Sequence, residues 1–133
     1  MTTFIDTNVL IYLLDEAANH HAWSVEQLNI CKEIGPAIVS DIVYCEFCVG
    51  MQSQAEVDAA VAKFALERLS TSDSVLFRAA EAFRQYKANG GPKTTVLPDF
   101  LVGAIAEVSN APLITVNAKD FAGYFPALKI ISP

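Results

Sequence analysis

The fold class of this chain is decided by residues 3–11, which read Thr3-Phe4-Ile5-Asp6-Thr7-Asn8-Val9-Leu10-Ile11. A short, mostly apolar segment runs up to Asp6 and predicts a buried strand. The apolar residues that follow predict a helix over residues 9–14, with apolar positions nearly all round it. A buried strand that leads directly into a helix is typical of an α/β protein.

The same alternation continues along the rest of the chain. Strands are predicted at residues 37–39, 112–116 and 129–131, and helices at residues 23–30, 42–51, 55–69, 76–86 and 99–108. The predicted strands are continuous apolar runs, which favours a parallel sheet covered by helices on both faces. No repeat or linker divides the sequence, so one domain is predicted over residues 1–133.

The composition excludes several classes of protein. Hydrophobic residues make up 53% of the 133 residues and charged residues 18%, the opposite of a disordered chain. The longest apolar run, residues 100–106, is far shorter than the roughly 20 residues that span a membrane. The first residues carry no basic segment ahead of an apolar one, so no secretory signal is predicted. We therefore expect a soluble, cytoplasmic protein with no membrane partner.

The charge balance limits the partners. Nine Lys and Arg face 15 Asp and Glu, a net charge of −6. This balance argues against a protein that binds nucleic acid by neutralising phosphates, but it allows an enzyme that holds a phosphodiester through metal ions. The high apolar fraction suggests an apolar surface kept for a partner.

Three cysteines, Cys31, Cys45 and Cys48, invite a metal or redox interpretation, because the last two are spaced as C-E-F-C. No second pair and no histidine lies nearby to complete a metal site. We therefore predict that all three are buried free thiols in a reducing compartment.

Four of the 15 acids stand out by position: Asp6, Glu46, Asp99 and Asp120. Each is predicted near the carboxyl end of a strand or at the start of a helix, where open α/β sheets place their sites. Their neighbours are largely apolar, and a carboxylate in such surroundings is costly unless it is paired or bound to a cation. Two carboxylates about 5 Å apart repel by roughly 3 kcal/mol. A set of carboxylates favours Mg²⁺, with Mn²⁺ as an alternative.

Four segments together resemble the motifs of PIN-domain nucleases. They are residues 4–11 (FIDTNVLI), 40–46 (SDIVYCE), 98–106 (PDFLVGAIA) and 113–121 (LITVNAKDF), in the order of that family. The resemblance covers nearly the whole chain, and the length is that of VapC-type toxins of toxin–antitoxin pairs. It implies a PIN-like three-layer sandwich with a central parallel sheet of four or five strands. Gly103 departs from the pattern, since the family more often has alanine there.

The resemblance also implies an activity, a metal-dependent endoribonuclease. Asp6 and Asp99 would be direct ligands of Mg²⁺, and Glu46 and Asp120 would complete the acidic site, directly or through water. It further implies the toxin of a type II toxin–antitoxin system, with an RNA substrate and a cognate antitoxin. A homodimer is also expected, and the helices at residues 9–14 and 42–49 are candidates for both contacts.

Several polar residues have two interpretations. Thr7, Asn8, Thr115 and Asn117 are predicted either to orient the carboxylates by hydrogen bonds or to cap helices and turns. Lys93 and Lys119 either contact RNA phosphates or are solvated. The adjacent His20 and His21 are expected in a polar loop or cap, and Asp41 is expected to be solvated or to cap a helix.

Two other functions fit parts of the sequence. An aspartate-dependent phosphatase would use Asp6 as its nucleophile, but such enzymes usually need a second Asp two residues on, where this chain has Asn8. A PIN-like module that only binds a partner would keep the fold without needing Mg²⁺. Titration with Mg²⁺ by calorimetry separates this module from an enzyme.

Overall fold

The computed structural model describes all residues, 1–133, as a five-stranded parallel sheet flanked by helices. Its elements are β1 Thr3–Ile5, α1 Thr7–Leu14, α2 His21–Ile34, β2 Ala37–Ser40, α3 Asp41–Cys48, α4 Gln54–Lys63, β3 Glu67–Leu69, α5 Asp73–Ala88, α6 Pro98–Val108, β4 Leu113–Ile114, α7 Lys119–Ala122 and β5 Ile130–Ile131. The predicted fold class, an α/β sandwich around a parallel sheet of four or five strands, is confirmed. No helix is both long enough and apolar enough to cross a membrane.

The order of the strands, β3-β2-β1-β4-β5, places β1 at the centre of the sheet. Every neighbouring pair is parallel, with Phe4 opposite both Ile38 and Leu113. The three central strands are completely buried, which explains why they read as continuous apolar runs. The chain leaves β1 toward β2 on one side and returns to β4 on the other, so the strand order reverses at β1. Ligands of open α/β sheets bind at such a point.

The predicted helix at residues 55–69 is wrong in its second half. The helix α4 ends at Lys63, and residues 67–69 instead form β3, an edge strand paired with β2. The turn between them uses Ala65 in a left-handed conformation (φ 49°). The Lys32 ammonium donates hydrogen bonds to the carbonyl oxygens of Phe64 and Ala65, at 2.9 and 2.7 Å. Since β3 is exposed throughout, it lacks the apolar run that identifies the central strands.

Two further corrections concern the cysteines and the strand at residues 112–116. Cys31 is buried as predicted, but Cys45 is exposed and Cys48 is partly exposed. On α3 the core-facing positions are taken by Val43 and Phe47, one turn apart, so the two cysteines lie on other faces of the helix. Strand β4 spans only residues 113–114, and the short helix α7 after it was not predicted.

Gly103 allows α6 to pack closely against the aromatic ring of Phe125. A Cβ at this position would lie 2.4 Å from Phe125 Cε2, and the Phe125 side chain is buried. The alanine more usual in the family therefore has no room in this chain as it is packed.

We expect Gly103→Ala to lower the free energy of unfolding by up to about 2 kcal/mol. Overpacking costs about 1–3 kcal/mol, and the better helix propensity of alanine returns about 1 kcal/mol. Urea denaturation measures the change. Gly123→Ala is the matched control, because a Cβ there meets nothing within 4 Å. Equal stability of the two variants would contradict the close packing of α6.

Candidate active site

Asp6 occupies the junction between β1 and α1, at the centre of the sheet. Its backbone N–H donates to the carbonyl oxygen of Ile114 on β4 at 3.0 Å. Its carboxylate caps α1, because Oδ1 accepts a hydrogen bond from the Thr7 N–H at 2.8 Å. The other oxygen, Oδ2, accepts a hydrogen bond from the Thr115 hydroxyl at 2.7 Å. Asp6 has only 5% of its surface exposed, and hydrogen bonds hold both of its carboxylate oxygens.

Glu46 is joined to this centre through Thr7. The Thr7 hydroxyl donates to Glu46 Oε1 at 2.7 Å, which ties the first turn of α1 to α3. Because Val43 and Phe47 of α3 face the core, the neighbouring Glu46 is left half-buried beside α1. Thr7 thus bonds one carboxylate with its hydroxyl and another with its backbone.

Asp99 enters the site in the first turn of α6, after Pro98 at the helix start. A helix N-terminus normally favours a carboxylate, yet the pKa of Asp99 is raised from 3.8 to about 6. Burial is the main cause, followed by repulsion from Asp6, Asp120 and Glu46. The unfavourable surroundings therefore outweigh the helix dipole.

Asp120 is exposed on α7, beyond the end of β4. Its charge reaches the buried carboxylates, since it contributes to the raised pKa of both Asp6 and Asp99. Burial is the largest cause of the raised pKa of Asp6, and repulsion from Glu46 and Asp120 adds to it. The hydrogen bonds from Thr115 and Thr7 act in the opposite direction. Four side chains from distant parts of the sequence therefore repel one another at one edge of the sheet.

A divalent cation fits the chemistry of these donors. All four offer only carboxylate oxygens, which suit Mg²⁺ or Mn²⁺, and their mutual repulsion is what a cation relieves. No three Asp, Glu, His or Cys side chains lie close enough to share one ion in the conformation described. Burial raises the pKa of both Asp6 and Asp99, and these two are the candidates for direct contact with an ion.

The sequence profile of the PIN domain matches residues 3–124. The chain belongs to the PIN-domain family. This is the family of nucleases that the four sequence motifs resemble. The matched residues include all four carboxylates. No curated protein sequence matches this PIN domain.

Solved structures with the same fold come from several bacteria. VapBC2 from Rickettsia felis, bound to a DNA fragment from its promoter, superposes with a TM-score of 0.76 at 20% identity, over 99% of this chain and 98% of the other. VapBC-1 from nontypeable Haemophilus influenzae gives 0.71 at 24% identity, with the same coverage. A toxin–antitoxin complex from Klebsiella pneumoniae gives 0.66 at 25% identity, over 98% and 97% of the two chains.

The remaining polar residues of the PIN domain divide into those that touch a carboxylate and those that do not. Thr7 and Thr115 each donate a hydroxyl to one. Asn117 meets the site through its backbone N–H, which donates to the Thr115 hydroxyl at 3.0 Å. Asn8 is exposed on α1, and neither asparagine side chain bonds a carboxylate.

Asp41 and the two histidines lie outside this network. Asp41 forms an ion pair with Arg68 at 2.8 Å and also accepts the Thr71 N–H. His20 and His21 lie at the start of α2, near the carboxyl end of α1, where His21 Nδ1 is 2.7 Å from the carbonyl oxygen of Tyr12. Asp6 is at the other end of that helix.

Ser40 is a buried polar residue at the start of the second motif segment, residues 40–46, and it was not predicted as a site residue. It ends β2 at the same edge of the sheet as Asp6, and 2% of its surface is exposed. Its hydroxyl makes no capping bond to α3 and has no other partner. Only its position directly after a buried strand could have marked it as part of this edge.

Replacing Thr115 by Val is expected to lower the free energy of unfolding by about 1–3 kcal/mol. The change keeps the shape but leaves Asp6 Oδ2 and the Asn117 N–H without their partner in a buried place. The control is Thr95→Val, because Thr95 is exposed in the loop before α6. Urea unfolding compares the two, and equal stability would show that the Thr115 hydroxyl does not support Asp6.

Proposed function

We propose that residues 1–133 form one PIN domain that acts as a metal-dependent endoribonuclease and as the toxin of a type II toxin–antitoxin system. The observation that carries the proposal is the set of four carboxylates at one edge of the sheet, two of them with raised pKa values. A protein does not gain stability from such an arrangement, so its use lies in binding a cation. Four motifs in the order of a nuclease family support RNA phosphodiester hydrolysis as the reaction.

In this proposal Asp6 and Asp99 hold Mg²⁺, or Mn²⁺ in its place, and Glu46 and Asp120 complete the negative rim. When bound, the ion supplies Lewis-acid activation of the phosphodiester and of water. Thr115 and Thr7 fix the directions of the Asp6 and Glu46 oxygens through hydrogen bonds of 2.7 Å. Such bonds orient the ligands of a metal.

The aspartate-dependent phosphatase receives no support from the geometry. The position two residues on is Asn8, which is exposed and carries no acid.

The direct test incubates the purified protein with single-stranded RNA and Mg²⁺. Cleavage is expected, it stops when EDTA removes the ion, and it returns when Mg²⁺ or Mn²⁺ is added in excess. An RNA that stays intact under all conditions, while calorimetry detects Mg²⁺ binding, rejects the nuclease. If neither cleavage nor Mg²⁺ binding occurs, the binding module without a metal is the better description.

An antitoxin segment is the protein partner that we propose for the groove between α1 and α3. The groove has a volume of about 280 Å³ and is lined by Ile11, Leu14, Asp15, Glu46, Phe47 and Met51, among others. Its apolar wall, where Ile11 and Leu14 are exposed, runs up to the Glu46 carboxylate. A segment with apolar side chains and a basic residue fits both parts. Toxin–antitoxin complexes among the structures of similar fold support this choice.

A small protein encoded beside this gene, where one is found, is the candidate antitoxin to test by co-expression. Leu14→Glu is expected to weaken its capture by about 30-fold, as for an interface anchor. Val108→Glu, at an exposed apolar position at the end of α6, is expected to leave it unchanged. Equal capture by both variants would show that the groove is not part of the interface with the antitoxin. The homodimer remains a prediction, and light scattering of the purified protein decides it.

A further inference from the structure

Helix α7, which carries Asp120, is too short to fix its own position. It has four residues, and Asp120 is exposed on it. Isolated helices shorter than about 12 residues are marginal in water, so contacts with the rest of the protein must hold this one. Phe121, which is completely buried, anchors one side of α7 in the core. The remaining contacts are made by the residues directly after the helix.

Arg78 of α5 binds the segment that follows α7. Its Nη2 donates a hydrogen bond to the Tyr124 carbonyl oxygen at 2.7 Å, and its guanidinium carbon lies 4.8 Å from the centre of the Phe125 ring. No other side chain makes a hydrogen bond to residues 118–133. Tyr124 and Phe125 in turn donate their N–H groups to the Phe121 carbonyl oxygen, at 3.1 and 2.9 Å, so this segment continues the turn of α7.

The guanidinium of Arg78 is itself held in place by α6. Its Nε donates to Glu107 Oε1 at 2.6 Å, and the two side chains are only 23% and 15% exposed. The other ion pair of the protein, between Arg68 and Asp41, is more exposed on both sides and is therefore screened more strongly by solvent. One side chain thus joins α5, α6 and the segment after α7.

The same segment packs beside the turn that carries Asp99. The Tyr124 ring meets the Phe100 ring edge to face at 5.3 Å, and Phe100 directly follows Asp99. The charge of Asp120 reaches this turn, because it is among the causes of the raised pKa of Asp99. The contacts of Arg78 and Tyr124 therefore relate the position of α7 to the acidic site.

We propose that Arg78 is a positioning residue, which holds α7 so that Asp120 stays beside the cation site formed with Asp6 and Asp99. The inference rests on the cation site of the proposed function. Arg78 makes no hydrogen bond or ion pair with any of the four carboxylates, since its partners are Glu107 and the Tyr124 carbonyl.

The sign of the effect on Mg²⁺ binding separates this role from the charge of Arg78. A guanidinium repels a divalent cation, so its removal by charge alone strengthens Mg²⁺ binding. Loss of the position of Asp120 weakens Mg²⁺ binding, because a negative charge moves away from the ion. The positioning role therefore predicts a change opposite in direction to the one that Coulomb's law gives for Arg78 itself.

The test measures Mg²⁺ binding by calorimetry in the full chain without RNA, for the wild type, Arg78→Gln, Asp120→Asn and the double variant. Groups that support a metal site contribute about 10- to 100-fold to metal affinity. We expect Asp120→Asn to weaken binding about 10-fold and Arg78→Gln to weaken it about 5-fold. The double variant is expected to bind as weakly as Asp120→Asn alone, because the position of α7 acts only through the charge that it carries.

Arg84→Gln is the matched control. Arg84 is exposed on the same helix, and neither ion pair of the protein includes it, so wild-type affinity is expected. Arg78→Lys is the second variant, because it keeps a positive charge opposite Glu107 but lacks the planar fork that reaches the Tyr124 carbonyl as well. Its Mg²⁺ affinity is expected to lie between those of the wild type and Arg78→Gln, and urea midpoints show whether each variant is folded.

The outcomes distinguish the inference from the proposed function. If Arg78→Gln binds Mg²⁺ as tightly as the wild type or more tightly, or loses the same affinity with and without the Asp120 carboxylate, the positioning role is overturned and the cation site stands. If Arg78→Gln does not fold, wild-type affinity of Arg78→Lys overturns the role in the same way. If the wild type binds no Mg²⁺, the inference and the proposed cation site are both wrong.

Discussion

Replacing Asp6 by Asn is expected to lower the rate of RNA cleavage by about 100-fold or more while the fold is kept. The change removes a charge from the most buried of the four carboxylates, and losing one preorganised group at a reaction centre costs about this factor. The asparagine oxygen can still accept the Thr7 N–H at the start of α1. The Thr115 hydroxyl can turn to accept a hydrogen bond from the new amide, because hydroxyls both donate and accept.

Asp41→Asn is the control for this experiment, because Asp41 is also an acid at the carboxyl ends of the strands. It is paired with Arg68, and nearly half of its side chain is exposed. Loss of an exposed pair costs at most about 1 kcal/mol of stability, so cleavage by this variant is expected to equal that of the wild type. Gel assays at matched protein concentration compare the three proteins. Equal cleavage by Asp6→Asn and the wild type would falsify the assignment of the site.

Asp99→Asn is expected to change activity and stability in opposite directions. Cleavage falls by about 100-fold, as for Asp6, whereas the metal-free protein becomes more stable at pH 7. The pKa of Asp99 is raised from 3.8 to about 6, and each pKa unit corresponds to about 1.4 kcal/mol. Because the side chain remains partly exposed, solvent screens the effect, and we expect a gain of about 1 kcal/mol.

The dependence on pH gives the same prediction a second measurement. Between pH 4 and pH 6 the folded wild type binds a proton at Asp99 that the unfolded chain has released, so stability falls as the pH rises through this range. The variant has no carboxylate to titrate there and is expected to lose less stability. The control is Asp73→Asn in the first turn of α5, where the acid is exposed and favoured by the helix dipole. Asp73→Asn is expected to lower stability by about 0.3–1 kcal/mol. If Asp99→Asn also lowers stability, the charge of Asp99 is not unfavourable in the folded protein and the prediction is wrong.

The central strands and the four acids could be predicted from the sequence because each carries a local signal. Strands β1, β2 and β4 are buried on both faces and therefore show continuous apolar runs around residues such as Ile5 and Val39. Asp6 and Asp99 interrupt or follow apolar segments, where a carboxylate is costly unless it is paired or bound to a cation. Edge strand β3 has no such signal, since Glu67–Leu69 is exposed and is recognised only through its pairing with β2.

The connections within the site depend on contacts that no local pattern reveals. Thr7 was predicted as an orienting residue or a cap, but its bond to Glu46, across 39 positions of the chain, follows only from how α1 packs on α3. The exposed position of Cys45 likewise follows from which face of α3 is buried, and the C-E-F-C spacing says nothing about that. The aromatic packing around Tyr86 joins three separate segments.

The hydrogen bond between Thr115 and Asp6 links residues 109 positions apart, and it closes the centre of the sheet between β1 and β4. A ribosome that has translated only α1 to α5 has produced neither Thr115 nor the acids of α6 and α7. The nascent polypeptide therefore cannot assemble the carboxylate cluster until α6, Thr115 and α7 have been translated. The order of translation thus separates the folding of the first half of the sheet from the assembly of the acidic cluster, which forms only when β4 has docked beside β1.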